Sequence, residues 1–295
     1  MPASVTSATP AELDSTVGRN HAEVVIRPPS WSPGLPLQGI RAVWEHRDLL
    51  YTLTLHRFRV RYKQSALGLL WAVLQPLATM AVLTVVFSLI ARVPTGGVPY
   101  AVFALAGLVP WTCFSNALTS GTQSLVSHAA LVTRVRFPRE ILPLTYVLAA
   151  VADGVIAGGL LVAIMAAYGL PPGPSAWAAL PIFATLVALV TGLALAAAAV
   201  NVRFRDVGVA MPIVLQLLLF ASPIAYALSS VPERGATLYT LNPLAGLIEN
   251  FRRAVLGTGP LHVESLLVSI AWAAVVLPIG YVWFKRVDAT AADVI

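Results

Sequence analysis

Apolar residues fill long stretches of this chain, and polar residues collect between them. The first stretch runs from Ala66 to Ala91 without a charge, the second from Val98 to Thr122, and the third from Ile141 to Tyr168, broken only by Asp153. The turn-forming run Gly169-Leu-Pro-Pro-Gly-Pro-Ser175 then interrupts the pattern. Further stretches follow over Ala176–Val200, Val207–Leu228 and Ser265–Phe284. A helix of about 20 apolar residues crosses the hydrocarbon of a bilayer, and helices satisfy their own backbone there. The pattern therefore predicts an all-α integral membrane protein with six transmembrane helices, near 66–91, 98–122, 141–168, 176–200, 207–228 and 265–284, the transmembrane domain covering 66–284.

Two segments outside these stretches also read as helical. In Ile40–Tyr62, the residues Ile40, Val43, Trp44, Leu50, Tyr51 and Leu55 recur at spacings of three, four and seven among Arg47, Arg57, Arg59, Arg61 and Lys63. That pattern predicts an amphipathic interfacial helix over about 39–65, with cations at lipid head groups. Between the fifth and sixth stretches, Asn242 suits a cap, Pro243 a first turn and Gly257 a terminator. Leu244, Leu247, Ile248, Phe251 and Val255 share one face there, and Glu249 precedes Arg253 by four, the favourable order for an ion pair. A short helical or re-entrant segment dipping into the membrane is expected. Residues 1–38, proline-rich over Arg27–Pro36, read as a flexible tail without the apolar core of a signal peptide.

Composition agrees with lipid as the solvent: 58% of the 295 residues are hydrophobic and 11% charged, against roughly 25% charged in soluble domains. The net charge of +6 sits between the apolar stretches, so no nucleic-acid partner is implied. With the N-terminus inside, the outer segments hold only Arg92, Arg234, Arg252 and Arg253 of the 19 lysines and arginines. This positive-inside bias puts both termini in the cytoplasm, including a tail over 285–295. The lone Cys113 allows no disulfide within the chain.

Candidate chemistry is sparse. Asp153 is the one acid deep in a stretch. It marks either a functional group or a hydrogen-bonded structural one, and by itself it argues against an ion-coupled carrier. Gly154 and Gly158 have GxxxG spacing, and Pro76 and Pro110 predict bends. No GxxxxGK[ST] loop, no HExxH and no paired carboxylates occur. No catalytic, cofactor or metal residues are expected, and any pumping must draw its energy from another subunit. A transferase acting on lipid-linked sugars would need acids or histidines clustered near the interface, whereas His46, His56 and His128 are scattered. Two short inner loops carry a phenylalanine among charges, at Phe137 and Phe204. Topology accounts for the arginines; the phenylalanines suit a small protein–protein knob.

Several stretches resemble the permeases of ABC exporters for polysaccharides and polyol phosphates, which move O-antigen, capsule or teichoic-acid chains on a lipid carrier. They are Arg61-Tyr-Lys63-Gln-Ser-Ala-Leu-Gly68-Leu-Leu-Trp71-Ala-Val-Leu-Gln75-Pro76-Leu, Gly107-Leu-Val-Pro110-Trp111, Leu131-Val-Thr-Arg134-Val-Arg136-Phe137-Pro138-Arg139-Glu140-Ile-Leu-Pro143, Asn201-Val-Arg203-Phe204-Arg205-Asp206-Val and Leu241-Asn242-Pro243-Leu-Ala-Gly246-Leu-Ile-Glu-Asn-Phe251-Arg252. They run in order from about Leu37 onward. The resemblance implies a homodimer in the inner (cytoplasmic) membrane over two copies of a separate ATPase, which would hold ATP and Mg. It also implies a lipid-linked polysaccharide substrate, for example lipopolysaccharide O-antigen.

On that resemblance, Trp44, Arg47, Tyr51, Arg57, Arg59 and Arg61 belong to a gate helix. Arg134, Arg136, Phe137, Pro138, Arg139 and Glu140 form the main ATPase-coupling segment, with Arg203, Phe204, Arg205 and Asp206 beside it. Aromatic residues line the family's tunnel, and by type and depth the candidates are Phe87, Trp111, Phe114, Phe220 and Tyr226. Aromatic faces can stack on sugar rings without fixing one sugar, so a chain can slide. An exporter of drugs or plain lipids in the same superfamily is the alternative.

Overall fold

The computed structural model describes residues 41–63, 67, 68, 70–90, 93–134, 137–228 and 239–291. The expectations for the 1–38 tail, Arg136 and Arg234 fall outside these residues, as do the side chains of Arg61 and Arg134.

The described secondary structure is helical throughout. Residues 41–45 form a helical lead-in that turns at His46 into α1 (Arg47–Lys63). Next comes α2 (Leu70–Leu83), continued by a π-helical stretch over Thr84–Ile90. Then follow α3 (Tyr100–Gln123), a 3-10 turn at Val126–His128, α4 (Ala129–Arg134), α5 (Ile141–Ala167), a second 3-10 turn at Ala176–Ala178 and α6 (Ala179–Arg203). The chain closes with α7 (Asp206–Phe220), α8 (Pro243–Leu256) and α9 (Val263–Ala291).

Among the described residues, five helical stretches are long and apolar enough to cross a membrane: Leu70–Ser88, Tyr100–Gln123, Ile141–Ala167, Ala176–Arg203 and Val263–Asp288. The fifth expected span, 207–228, differs from its expectation. Its helix stops at Phe220 and the chain turns over 221–226. Pro223 has no amide proton for a continuing helix and disfavours helical geometry at Ser222. At 15 residues, α7 rises about 22 Å, less than the roughly 30 Å of hydrocarbon.

The centre of the bundle is α3, buried along most of its length against α5 and α6. Leu105, Leu108 and Phe114 of α3 meet Leu161 of α5, Leu186 and Leu189 of α6 and Leu247 of α8 in one apolar core. The broadest helix contact joins α6 to α9. Gly192 and Gly280 face each other at this crossing, where a β-carbon on Gly280 would collide with the Gly192 carbonyl. Small residues let two membrane helices approach backbone to backbone. The GxxxG pair on α5 does so only in part. Gly154 lies close under Phe183 and Cys113, while Gly158 faces open space. By contrast, α2 with its π-helical continuation and α7 leave Trp71, Val82, Val85, Val209, Ile213 and Leu217 exposed.

Candidate functional site

Chemistry-bearing side chains gather at the two ends of the bundle. One end collects α1, residues 124–134 and 137–140, the 204–206 loop and the last turns of α9. Here α1 lies against α5, with Leu49, Leu50, Leu53 and Leu55 partly covered, while Trp44 (68% exposed) and Tyr51 (66%) point away. The expected apolar set therefore splits between two faces. Arg47 and Arg59 are exposed, but Arg57 turns inward. Its guanidinium carbon sits 4.0 Å from the centre of the Tyr146 ring, and its Nη2 donates to the Tyr146 hydroxyl. The same Nη2 donates to His128 Nε2 at 2.6 Å, while His128 Nδ1 donates to the Ser124 carbonyl at 2.9 Å. This arrangement requires a neutral imidazole protonated on Nδ1. Burial pushes the His128 pKa down, and the Arg57 charge pushes the same way, against the Ser124 bond. Arg57 also borders a cavity of about 270 Å³ with Asn116, Ser120, Tyr146 and Asp153, so α1, α3 and α5 share a recess with polar groups set in a mainly apolar wall.

The 137–140 segment is braced internally. Phe137 is partly buried against the apolar cluster of Leu142, Leu195 and Phe284. Arg139 Nη1 donates to Asp288 Oδ1 at 3.1 Å and to the Asp288 carbonyl at 2.8 Å. Glu140 stands just before α5 rather than in its first turn, and its carboxylate turns away from the helix start to accept from Lys285 Nζ at 2.7 Å. Pro138 precedes these two, its carbonyl accepting from Ile141 N at 3.1 Å. A buried carboxylate needs such a partner.

The second loop is open. Arg203, Phe204, Arg205 and Asp206 are all exposed, Phe204 to 58%, with Arg203 lying 5.7 Å over its ring. Its base is held by buried Asn201, which accepts from Gly208 N at 2.8 Å and donates to the Thr122 carbonyl at 3.1 Å.

The opposite end is organised by α8. Asn242 Oδ1 accepts from Leu244 N at 3.0 Å, Pro243 opens the helix, and Gly257 ends it at φ 67°. Leu244, Leu247, Ile248 and Phe251 are buried, so the face expected from the sequence is the inward one. Glu249 pairs with Arg253 at 2.8 Å and also with Arg252 at 3.1 Å. Arg252 is fully enclosed and donates to the carbonyls of Pro223 (2.7 Å) and Ile224 (2.9 Å). These are acceptors that the break after α7 leaves without helical partners.

The tunnel-lining candidates do not converge within this chain. Trp111 and Phe114 are buried in the α3 core, 6.1 Å apart. Phe87 stacks on Tyr100 at 6.4 Å. Phe220 is exposed, and Tyr226 donates to its carbonyl at 2.9 Å and meets the Tyr239 hydroxyl at 2.5 Å. An apolar recess of about 470 Å³ opens between α5, α6 and α8, lined by Gly158, Val162, Phe183 and Phe251 among others. Among the described residues no group of His, Cys, Asp or Glu could hold a metal ion.

Tyr146, Lys285 and Asp288 were not singled out by sequence reasoning, and Asn201 entered only as the first residue of the 201–207 stretch. The Glu140–Lys285 and Arg139–Asp288 partners stand 145 and 149 positions apart, so no local spacing joins them.

These features define a multi-pass helical membrane protein with a braced loop and an open loop at one end and an amphipathic capped helix at the other. A sequence model of the ABC-2 type transporter family matches residues 48–256, and the chain belongs to that family. It is 31% identical over 242 residues to an O-antigen export system permease protein of Myxococcus xanthus, covering 81% of this chain and 91% of the relative. It is 27% identical over 249 residues to the O-antigen export system permease protein of Klebsiella pneumoniae, covering 84% and 95%. A polysialic acid transport protein of Escherichia coli is 26% identical over 217 residues, covering 69% and 80%.

Proposed function

We propose that this chain is the permease subunit of an ATP-driven exporter that carries a lipid-linked polysaccharide across the inner (cytoplasmic) membrane. The likeness to O-antigen export permeases along more than nine tenths of their length carries this reading. ATP and Mg belong to a separate ATPase, present in two copies beneath a homodimer of this chain. The arginine-rich end faces the cytoplasm, as positive-inside topology requires, with both termini there. α1 lies at that interface as a gate, and Trp44, Arg47 and Tyr51 point toward lipid or substrate. α7 with its following turn serves as the fifth of six spans, its shortfall in length met by locally thinned lipid or the dimer.

Gln75 and Thr79 of α2 and Gln216 of α7 are exposed on the protomer surface. Polar side chains facing hydrocarbon are costly, so these faces are better matched to a second copy and a wet passage between the copies. Sugar rings would slide there against aromatic residues such as exposed Phe220.

The test is reconstitution in proteoliposomes with the ATPase that co-purifies. The reading expects transfer of a lipid-linked polymer that depends on ATP. Absence of any associating ATPase, or labelling of the Phe137 and Phe204 turns from outside the cell, would overturn it.

A further inference from the structure

We propose that α9 is the rigid link between the coupling segment and the α8 end, and that Lys285 and Asp288 are the positioning residues that fasten the 137–140 segment to it. This rests on the exporter reading above. At the coupling end, Arg139 and Glu140 are consecutive, yet they reach Asp288 and Lys285, which lie three apart and so share one α9 face. Tyr281 and Phe284 continue that face, and Phe137 and Tyr281 both lie against the Phe284 cluster. Two ion pairs of opposite polarity and an aromatic contact thus hold a short segment to a single helix. It cannot tilt or slide without carrying α9 with it.

At the far end the attachment is as close. Asn250 of α8 accepts from His262 N at 2.7 Å and donates to the His262 carbonyl and Ser265 Oγ, both at 3.2 Å. Ser269 donates to the Pro243 carbonyl at 2.9 Å. Gly246 lets the two backbones meet, since a β-carbon there would come within 2.5 Å of the Ser265 carbonyl. Between the ends, α9 spans 29 residues, about 43 Å of helix, and the Gly192–Gly280 crossing joins it to α6. Pro278 lies inside α9 and removes one rung of its hydrogen-bond ladder, but the close Gly192–Gly280 crossing two residues on holds the helix to α6 at that point. So held at both ends and beside its proline, α9 passes on an axial or rotational displacement as one body. A push on the 137–140 segment is therefore delivered to α8, which caps the opposite end of the protomer.

The experiment uses the full transporter with its ATPase in proteoliposomes and reads polymer exported per ATP hydrolysed. Lys285→Met and Asp288→Asn are expected to keep the ATPase bound and hydrolysing while export per ATP falls about tenfold or more. Glu140→Lys alone is expected to fail, and Glu140→Lys combined with Lys285→Glu to recover most of the ratio. Wild-type export per ATP in the single variants would overturn the link. So would loss of ATPase binding in step with export, which would make the pairs part of the docking surface only. No rescue by the charge exchange would also overturn it. If the wild-type protein shows no ATP-dependent export at all, it is the exporter reading that fails.

Discussion

The guanidinium carbon of Arg252 stands 3.8 Å from the centre of the Phe103 ring, on the side where Gly107 leaves α3 without a side chain. A β-carbon at Gly107 would come within 2.5 Å of Arg252 Nη2 and 3.1 Å of the Ile224 carbonyl. Phe103, Gly107, Glu249 and the carbonyls after α7 therefore form one receptacle for a single cation. Arg252→Ala leaves those carbonyls unanswered in a dry site, and a loss of about 3 kcal/mol is expected. Gly107→Ala is expected to act in the same direction by displacing the guanidinium. Thermal unfolding in nanodiscs checks both, and an unchanged melting temperature for Arg252→Ala would contradict the assignment.

Two glycines of the long helices should respond oppositely to one added methyl group. Gly280→Ala pushes a β-carbon into the Gly192 carbonyl and is expected to cost about 1–3 kcal/mol. Gly158→Ala meets nothing within 4 Å and is expected to raise stability by about 0.5–1 kcal/mol, since alanine is the better helix former. Paired denaturation curves of the two variants make the comparison.

Docking of α1 should weaken on acidification. Docked His128 is neutral, and its pKa lies below the ordinary 6.5, mainly through burial. The groups around it are Arg57 of α1, Tyr146 of α5 and the Ser124 carbonyl. Undocked, it titrates near 6.5 and takes up the extra proton. The contact is thus fully present above that pH and is lost as pH falls below it. Each unit of depression is worth about a factor of ten in the docking equilibrium. Amide exchange across α1 should quicken between pH 7.5 and 5.5, and His128→Phe should flatten the response. Exchange indifferent to pH would count against the neutral-imidazole contact.

Phe204 is the exposed aromatic at the open loop, so Phe204→Ala should leave stability within about 0.5 kcal/mol while weakening ATPase binding about tenfold. Asn201→Ala should do the reverse. The Gly208 amide and Thr122 carbonyl would lose their partner, costing about 1–3 kcal/mol. Melting curves and ATPase pull-down on both variants separate the two roles.

Some of this architecture was legible because it is local. The caps of α8 work through neighbouring residues: Asn242 reaches Leu244, and Glu249 reaches Arg253 one turn on. Its buried face follows from helical spacing. Hydrocarbon-length stretches likewise announced five of the membrane helices. The fifth expected stretch ran past the end of its helix because hydropathy counts apolar residues and ignores where a proline ends the hydrogen-bond ladder, as Pro223 does after α7.

The candidate site was legible in part only. Charged loops could be placed at one end, but their use could not. Arg139 and Glu140 read as groups offered to a partner, and the folded chain engages them with Asp288 and Lys285. Arg57 read as a head-group cation and lies instead over Tyr146. Trp111 and Phe114 read as lining and lie inside the core.

By itself the sequence determined the solvent, the helical class, most helix limits and the local caps. Each of these depends on composition or on residues within a turn of one another. Tertiary structure alone decided which charges meet, which glycines let backbones touch and which aromatics are covered. Those outcomes depend on distances between segments far apart in the chain, 89 positions for Arg57 and Tyr146 and 149 for Arg139 and Asp288, which no local spacing encodes.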